Sequence, residues 1–242
     1  MSFEIFEYFI LFILILFQSI FGVGLLIFGT PTFLVFGYNF AETLSILVPI
    51  SCTVSLCQIL STKIEIDKFK KIFYKYSIFG TAIFMLFPII FININFLKII
   101  IAFIMISISI ISLTSMHLKN YRKKFLEYSR SYLVTLGCIH GLTNLGGSFI
   151  SIFSSIFYYR DKLRSRKSIA FSYFVLGLIQ LLVLSITLNI VFKLEILILM
   201  IITPFVFYLS SFIFDKINFE FYIKILYLLI LFYGIFIITS LV

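Results

Sequence analysis

The chain carries very little charge. Of its 242 residues only 12% are Asp, Glu, Lys or Arg, whereas 62% are hydrophobic. A soluble domain of this size is about half apolar and about a quarter charged. Because so few charged side chains cannot cover a water-facing surface, a soluble globular protein is excluded. The composition therefore predicts a polytopic protein of the lipid bilayer.

Signatures of catalysis and metal binding are missing as well. The sequence contains no His-Glu-x-x-His, Gly-x-Ser-x-Gly or Gly-Lys-Ser/Thr motif. Its carboxylates lie in loops or at the ends of apolar runs, and its three cysteines form no Cys-x-x-Cys pair or Cys/His ligand set. Glu4 and Glu7 stand where a cleavable signal would be basic. We therefore expect neither an enzyme nor an ATP-driven pump, and no metal, cofactor or cleaved signal.

Long uncharged runs dominate the chain. A helix needs about 20 apolar residues to cross a bilayer. Eight runs reach or approach that length: 8–41, 43–62, 76–97, 99–118, 131–159, 168–192, 196–214 and 225–242. The runs 8–41 and 131–159 are longer than one span needs. The pattern predicts eight helical elements, two of which are irregular.

The two longest runs share a glycine signal. Each contains Gly-x-x-x-x-Gly followed by two residues that suit a helix start, 117 residues apart: Gly24 to Gly29 before Thr30-Pro31, and Gly141 to Gly146 before Gly147-Ser148. Thr is a good N-cap, and Pro is favoured at the first helical position. The signal predicts a broken helix in each half. In transporters, breaks at corresponding places in two halves point to the binding site.

Loop charges distinguish two topologies. Basic residues of short loops favour the cytoplasm. Eight full spans with a cytoplasmic N-terminus would place 11 Lys and Arg inside and 8 outside, whereas re-entrant hairpins at 8–41 and 131–159 place 17 inside and 2 outside. The second drawing predicts an all-α membrane protein of two inverted repeats, each with one broken helix and three spans. Residues 1–116 form the first repeat, 117–130 a basic cytoplasmic linker and 131–242 the second repeat.

A helix that begins within the membrane can bind an anion. Its first N–H groups have no partner and its dipole is positive at that end. The predicted substrate-binding residues lie at the two glycine signals: Gly24, Gly29, Thr30, Pro31, Gly141, Thr143, Asn144, Gly146, Gly147 and Ser148. The alternative is that these glycines only let helices pack closely, as small residues do in bilayers.

Four further polar residues are candidates for the pathway or for coupling. His140 can titrate near neutral pH, and Arg166 can attract an anion to the cytoplasmic mouth. Gln58 and Gln180 lie at similar depth in the spans that follow the two breaks. The competing interpretations are a structural histidine, a positive-inside anchor and amides that bridge helices. Glu42 is interpreted as a structural helix start.

Several segments resemble the TauE/SafE permease family. The first is Phe21-Gly22-Val23-Gly24 followed by Pro31 and Gly37; the second is Gly137-x-x-x-Gly141-Leu142-Thr143-Asn144-Leu145-Gly146-Gly147; the third is Asp161-Lys162-x-x-x-Arg166-x-x-Ile169-x-x-x-Tyr173. The chain lacks the longer glycine run that many members have in the first repeat. The resemblance implies an inner-membrane transporter of sulfite, organosulfonates or other organic anions, often for export, with the glycine motifs and Arg166 in its core.

The sequence thus predicts a secondary transporter of a small anion that works by alternating access. Its expected partners are the anion and the lipid bilayer but no nucleic acid, because the basic residues flank membrane segments. A coupling proton or ion and a homo-oligomer are left open. The alternative is a non-transporting assembly or partner subunit.

Overall fold

A computed structural model describes residues 4–115, 122–158, 161–188, 194–216 and 218–240, and every regular element in these ranges is helical. The helices are α1 (Ile5–Phe21), α2 (Leu25–Val35), α3 (Phe40–Leu60), α4 (Asp67–Phe84), α5 (Leu86–Ile90), α6 (Ile94–Ser115), α7 (Arg122–Glu127), α8 (Ser129–Thr143), α9 (Gly146–Phe157), α10 (Lys162–Leu188), α11 (Leu194–Lys216) and α12 (Phe219–Thr239).

The helices have the length and surface of a membrane protein. Five segments of the described chain are long and apolar enough to cross a bilayer: Phe40–Leu60, Asp67–Ile90, Ile94–Leu113, Lys162–Thr187 and Leu194–Phe214. Large apolar side chains such as Phe79, Ile186 and Ile201 are exposed on their outer faces. Apolar surface of that extent is covered by lipid in a membrane protein. The fold is therefore all-helical and membrane-embedded.

The first break lies earlier than the glycine signal predicted. Helix α1 ends at Phe21, and Gly22 and Gly24 adopt positive φ angles of 76° and 138° before α2 begins. Thr30 and Pro31 lie inside α2, so the predicted helix start at this pair is wrong. The turn needs φ values that glycine adopts readily and that Thr and Pro do not.

Helices α1 and α2 fold back on each other as a hairpin. The rings of Phe6, near the start of α1, and Phe36, at the end of α2, are 6.0 Å apart. Just beyond, the Tyr38 hydroxyl donates a hydrogen bond of 2.7 Å to Glu7 Oε1. The start of α1 and the end of α2 therefore lie side by side.

Helices α8 and α9 form a second hairpin. The Tyr132 hydroxyl, in the first turn of α8, donates to the carbonyl oxygen of Phe149 in α9 at 2.8 Å, and its ring stacks on Phe153. In one straight helix residues 132 and 149 would be about 25 Å apart, at 1.5 Å per residue. The chain reverses at Asn144, which has φ of 62°.

The hairpins and the other helices also pack against each other in several pairs. Helix α3 lies against α10, α6 against α12, α4 against α8, α1 against α11, α4 against α10 and α3 against α11. The α3–α10 pair is antiparallel, since Lys167 donates to the carbonyl oxygen of Thr62 and a Cβ on Gly177 would meet Cys52. The α4–α8 pair is tight, because a Cβ on Gly137 would lie 2.3 Å from the carbonyl oxygen of Ser77.

Two predicted basic loops are mostly helical. Helix α4 begins at Asp67 and α10 at Lys162, so most of the basic residues predicted in loops at 63–75 and 160–167 lie in the first three turns of these helices. Lys63 precedes α4, and Arg160 lies outside the described residues. The charged residues interrupt the apolar pattern of the sequence but not the helix. In α4, Phe69 and Phe73 lie one turn apart and are fully buried, while the stems of neighbouring lysines reach outward.

The basic clusters gather at one end of the molecule. Lys70, from the first cluster, lies 5.8 Å from the ring centroid of Phe171 in α10, and Arg130, from the predicted linker, lies 6.0 Å from that of Tyr76 in α4. The Lys167–Thr62 hydrogen bond joins the second cluster to the loop before the first.

Candidate anion site at the two helix breaks

The two breaks match at an offset of 122 residues, not the 117 that the glycine signals suggested. Gly22 and Asn144 are both left-handed C-caps, and their N–H groups donate to the carbonyl oxygens of Gln18 at 2.7 Å and His140 at 2.8 Å. The same offset relates Gln58 to Gln180 and the first residues of α3 and α10. The breaks are thus built alike, with Gln18 in the place of His140.

The first break exposes a free helix start inside the protein. Helix α2 has no side-chain cap, and the described part of the chain offers no acceptor to the N–H groups of Leu25, Leu26 and Ile27. All three residues are fully buried. A buried helix end without partners calls for a ligand, and the positive end of the dipole favours an anion.

A network of amides surrounds the end of α1. Gln58 Nε2 donates to the carbonyl oxygens of Gln18 at 2.8 Å and Ser19 at 3.2 Å. Gln18 Nε2 in turn donates to the hydroxyls of Ser51 and Ser55. Gln58 therefore bridges α1 and α3, while its buried Oε1 and the Ser19 hydroxyl have no hydrogen-bond partner among the described residues.

Arg166 brings positive charge to the same place. Its guanidinium donates to the carbonyl oxygen of Ser19 and lies 3.8 Å from the ring centroid of Phe214. The side chain is 9% exposed. A cation at the negative end of α1 is favourable, and the aliphatic stem of Arg166 lies beside Gly22 at the first break.

One hydrogen bond joins the two hairpins. Asn144 Nδ2 donates to Thr30 Oγ1 at 2.8 Å, and Gln180 Nε2 donates to Asn144 Oδ1 at 3.2 Å. All three side chains are fully buried. Thr30 thus contributes to the second break as a hydrogen-bond acceptor, although it is not the helix start that was predicted.

The glycines of the second break make room for two rings. A Cβ on Gly146 would lie 2.5 Å from Cβ of His140, and one on Gly147 would lie 1.5 Å from the Tyr173 hydroxyl. The N–H of Gly146 donates to His140 Nδ1 at 3.2 Å. Helix α9 begins at Gly146, so the prediction of a helix start beside Gly147-Ser148 is confirmed within two residues.

Other predicted site residues have local or packing contacts. A Cβ on Gly141 would meet the backbone of α4, and one on Gly29 would meet Leu47. The hydroxyls of Thr143 and Ser148 donate to carbonyl oxygens of their own turn, Ile139 and Leu145. Gly24 caps α2 at the first break, whereas Pro31 lies about two turns further along it. Their binding roles stay predictions.

Sequence reasoning missed three contributors to the breaks. Gly22 and Ser19 were not singled out as site residues, and Tyr173 entered only through a family resemblance. Tyr173 is 1% exposed and its ring stands at 82° to that of His140, with centroids 6.3 Å apart. Aligning the halves at the left-handed residues would have placed Gly22 opposite Asn144.

The side chains gathered at the two breaks are mainly hydrogen-bonding amides and hydroxyls, together with His140 and Arg166. No group of three His, Cys, Asp or Glu side chains that could hold a metal ion occurs in the described ranges. Comparison with protein-family models, curated proteins and solved structures yields no match.

Proposed function

We propose that this chain is a secondary transporter of a small anion, working by alternating access around the α1–α2 and α8–α9 hairpins. The observation that carries the proposal is the pair of buried helix breaks at one offset, in two hairpins that are joined by the Thr30–Asn144 hydrogen bond. Irregular backbone at membrane depth is tolerated where it is buried in protein or lines a cavity.

The packing supports two inverted repeats. The counterparts of α1, α3 and α4 in the second half are α8, α10 and α11. Exchanging counterparts turns the α4–α8 contact into α11–α1 and the α3–α11 contact into α10–α4, and both of these pairs are also in contact. The equivalent helices α3 and α10 run antiparallel. A twofold axis between antiparallel equivalents lies in the membrane plane, which is the arrangement of inverted-repeat transporters.

The basic end supports re-entrant hairpins. Eight full spans would put the clusters at 63–75 and 160–167 on opposite faces, yet Lys167 reaches Thr62. A hairpin that enters and leaves on one face brings them together. The positive-inside rule then assigns this end, with 117–130, to the cytoplasm of a cell whose inner membrane holds the protein.

The chemistry of the first break favours an anion. Free N–H groups of Leu25, Leu26 and Ile27 point from the positive end of α2, and Arg166 supplies charge nearby. Membership of the TauE/SafE family, which the motifs suggest, would make the substrate sulfite, an organosulfonate or an organic acid and the direction export. The second candidate is a non-transporting subunit, favoured by Gly141 and Gly29, which pack against other helices.

Flux through the purified protein tests the proposal. Proteoliposomes loaded with sulfite, methanesulfonate or acetate would be compared for wild type and Thr30→Val, an isosteric change that removes the acceptor of Asn144 Nδ2. We expect flux of at least one anion, reduced about tenfold in the variant, the effect of about 1.4 kcal/mol on a barrier.

The matched control is Thr203→Val in α11, whose buried hydroxyl bonds only the carbonyl of Leu199. It should transport like wild type. Absence of flux for every anion would overturn transport, and a Thr30→Val protein that no longer inserts would favour the subunit.

A further inference from the structure

The start of α9 already has an internal ligand. The N–H of Gly146, the first residue of that helix, donates to Nδ1 of His140 at 3.2 Å. A nitrogen that accepts a hydrogen bond carries no proton, so the neutral ring bears its proton on Nε2. Nε2 is buried and has no hydrogen-bond partner among the described residues. The imidazole lone pair therefore occupies the place where an anion would bind a helix end.

The first break has no such internal ligand. Gln18 takes the place of His140 there, but its amide bonds Ser51 and Ser55 on α3. The N–H groups of Leu25, Leu26 and Ile27 stay without acceptors in the described chain. The two breaks thus share a backbone plan and differ in one titratable side chain.

Among the described residues, no charged side chain is in a position to balance a charge on the His140 ring. Helices α5 and α9 contain no titratable side chain, and α4 presents Thr81, Phe84 and Met85 to this part of α8. Lys98 of α6 and Glu127 of α7 do not interact with the imidazole, and no other charged side chain among the described residues does. Tyr173 is the titratable group of α10 that faces it, and α8 itself adds Cys138, Tyr132 and, at its first turn, Arg130.

We propose that His140 couples anion binding to the uptake of one proton at the second break. The inference rests on the proposed transport function and names the coupling ion. A proton from water binds Nδ1, and the hydrogen bond from Gly146 is lost because both groups are now donors. The two donors then face the same space, and an anion oxygen accepts from both.

The missing counter-charge makes the coupling obligatory. A buried imidazolium without a partner costs several kcal/mol, and since no charged side chain of the described residues interacts with the ring, the anion is its counter-charge. Proton and anion therefore enter as a neutral pair. Because linkage is reciprocal, anion affinity rises about tenfold for each unit by which the pH falls while the ring is mostly neutral.

Proton movement in proteoliposomes tests this inference. Methanesulfonate is the first probe because its charge is constant across the range from pH 5 to 8; nitrate and sulfite follow. A pH-sensitive dye inside the vesicles reports protons while anion uptake is measured in parallel. Wild type should acidify the interior as the anion enters, and lowering the outer pH should speed uptake.

His140→Gln copies the residue found at the first break and should abolish acidification together with the pH dependence. The matched control is His117→Gln, which removes the other histidine of the chain at a position outside the described residues. This control should behave like wild type. Acidification that persists in His140→Gln, or that disappears in His117→Gln, would overturn the assignment.

The remaining outcomes separate the two proposals. Anion uptake without acidification in wild type would overturn coupling and leave transport standing, whereas no uptake of any probe would overturn both. If His140→Gln does not insert, nitrogen-15 spectra of histidine-labelled His117→Gln protein answer the same question. Saturating methanesulfonate at pH 6 should then convert Nδ1 from acceptor to protonated donor; a ring that stays neutral with anion bound refutes the coupling.

Discussion

The bond between Thr30 and Asn144 should couple the stabilities of the two hairpins. It is a 2.8 Å hydrogen bond between fully buried side chains 114 residues apart. Thr30→Val removes the acceptor at nearly constant volume. Asn144→Gly removes the donor and keeps the left-handed backbone, since glycine adopts a φ of 62° freely.

The expected magnitude follows from the contacts that each variant loses. Hydrogen bonds between membrane helices are worth about 0.6 kcal/mol on average and up to about 1.7 kcal/mol. Thr30→Val loses one, so we expect a loss of about 1 kcal/mol. Asn144→Gly also loses the bond from Gln180 and gains unfolded-state entropy, for a total of about 1–3 kcal/mol.

A double-mutant cycle isolates the shared bond. Unfolding in mixed micelles, followed by circular dichroism, would be measured for wild type, both single variants and the double variant. The double variant should be more stable than additivity predicts by about 0.6–1.7 kcal/mol, because the bond can be lost only once. Costs that add to within about 0.3 kcal/mol would show that the hairpins are not coupled at this point.

Two further predictions concern the hairpin ends and the topology. Burial, followed by the hydrogen bond to Glu7, raises the pKa of Tyr38. Tyr38→Phe removes this hydrogen bond and should lower Tm by about 2–4 °C. Because an unfolded tyrosine ionises above about pH 10, the Tm of the wild type should fall above that pH, and the fall should be smaller in the variant. In a cysteine-free background, Leu163→Cys and Glu65→Cys should be labelled from the cytoplasmic side and Asn93→Cys from the opposite side. If Leu163→Cys is instead labelled from the same side as Asn93→Cys, the topology of eight full spans is correct.

The apolar runs predicted an all-helical membrane protein, which the five span-length apolar helices of the described chain support, because suitability for lipid is a property of composition. The predictions failed where local backbone geometry decides. A left-handed C-cap accepts either Gly or Asn, so Gly22 and Asn144 match in conformation but not in sequence letters. The repeated Gly-x-x-x-x-Gly pattern instead aligned Gly24 with Gly141, a glycine that packs against α4, and displaced the halves by five residues.

The partners of the candidate site lie beyond what periodicity can predict. A helical pattern gives the buried face of a segment but not the side chain it meets more than 100 residues away. Thr30, Asn144 and Gln180 were each singled out as polar residues in apolar runs, yet their joint contact depends on how two hairpins dock. His140 likewise gained its specific role only from the helix start beside it.

The strengths of these contacts indicate where the molecule can move. Helices α4 and α8 are in close backbone contact at Gly80, Gly137 and Gly141. Because no flexible side chain separates the two backbones there, this interface should stay rigid. The hairpins meet through packing of α2 on α9 and, among the described residues, one uncharged hydrogen bond. That bond is worth about 1 kcal/mol, and a conformational change can exchange it for a bond to substrate. A boundary between the hairpins, rather than between α8 and α4, is therefore where alternating access would open.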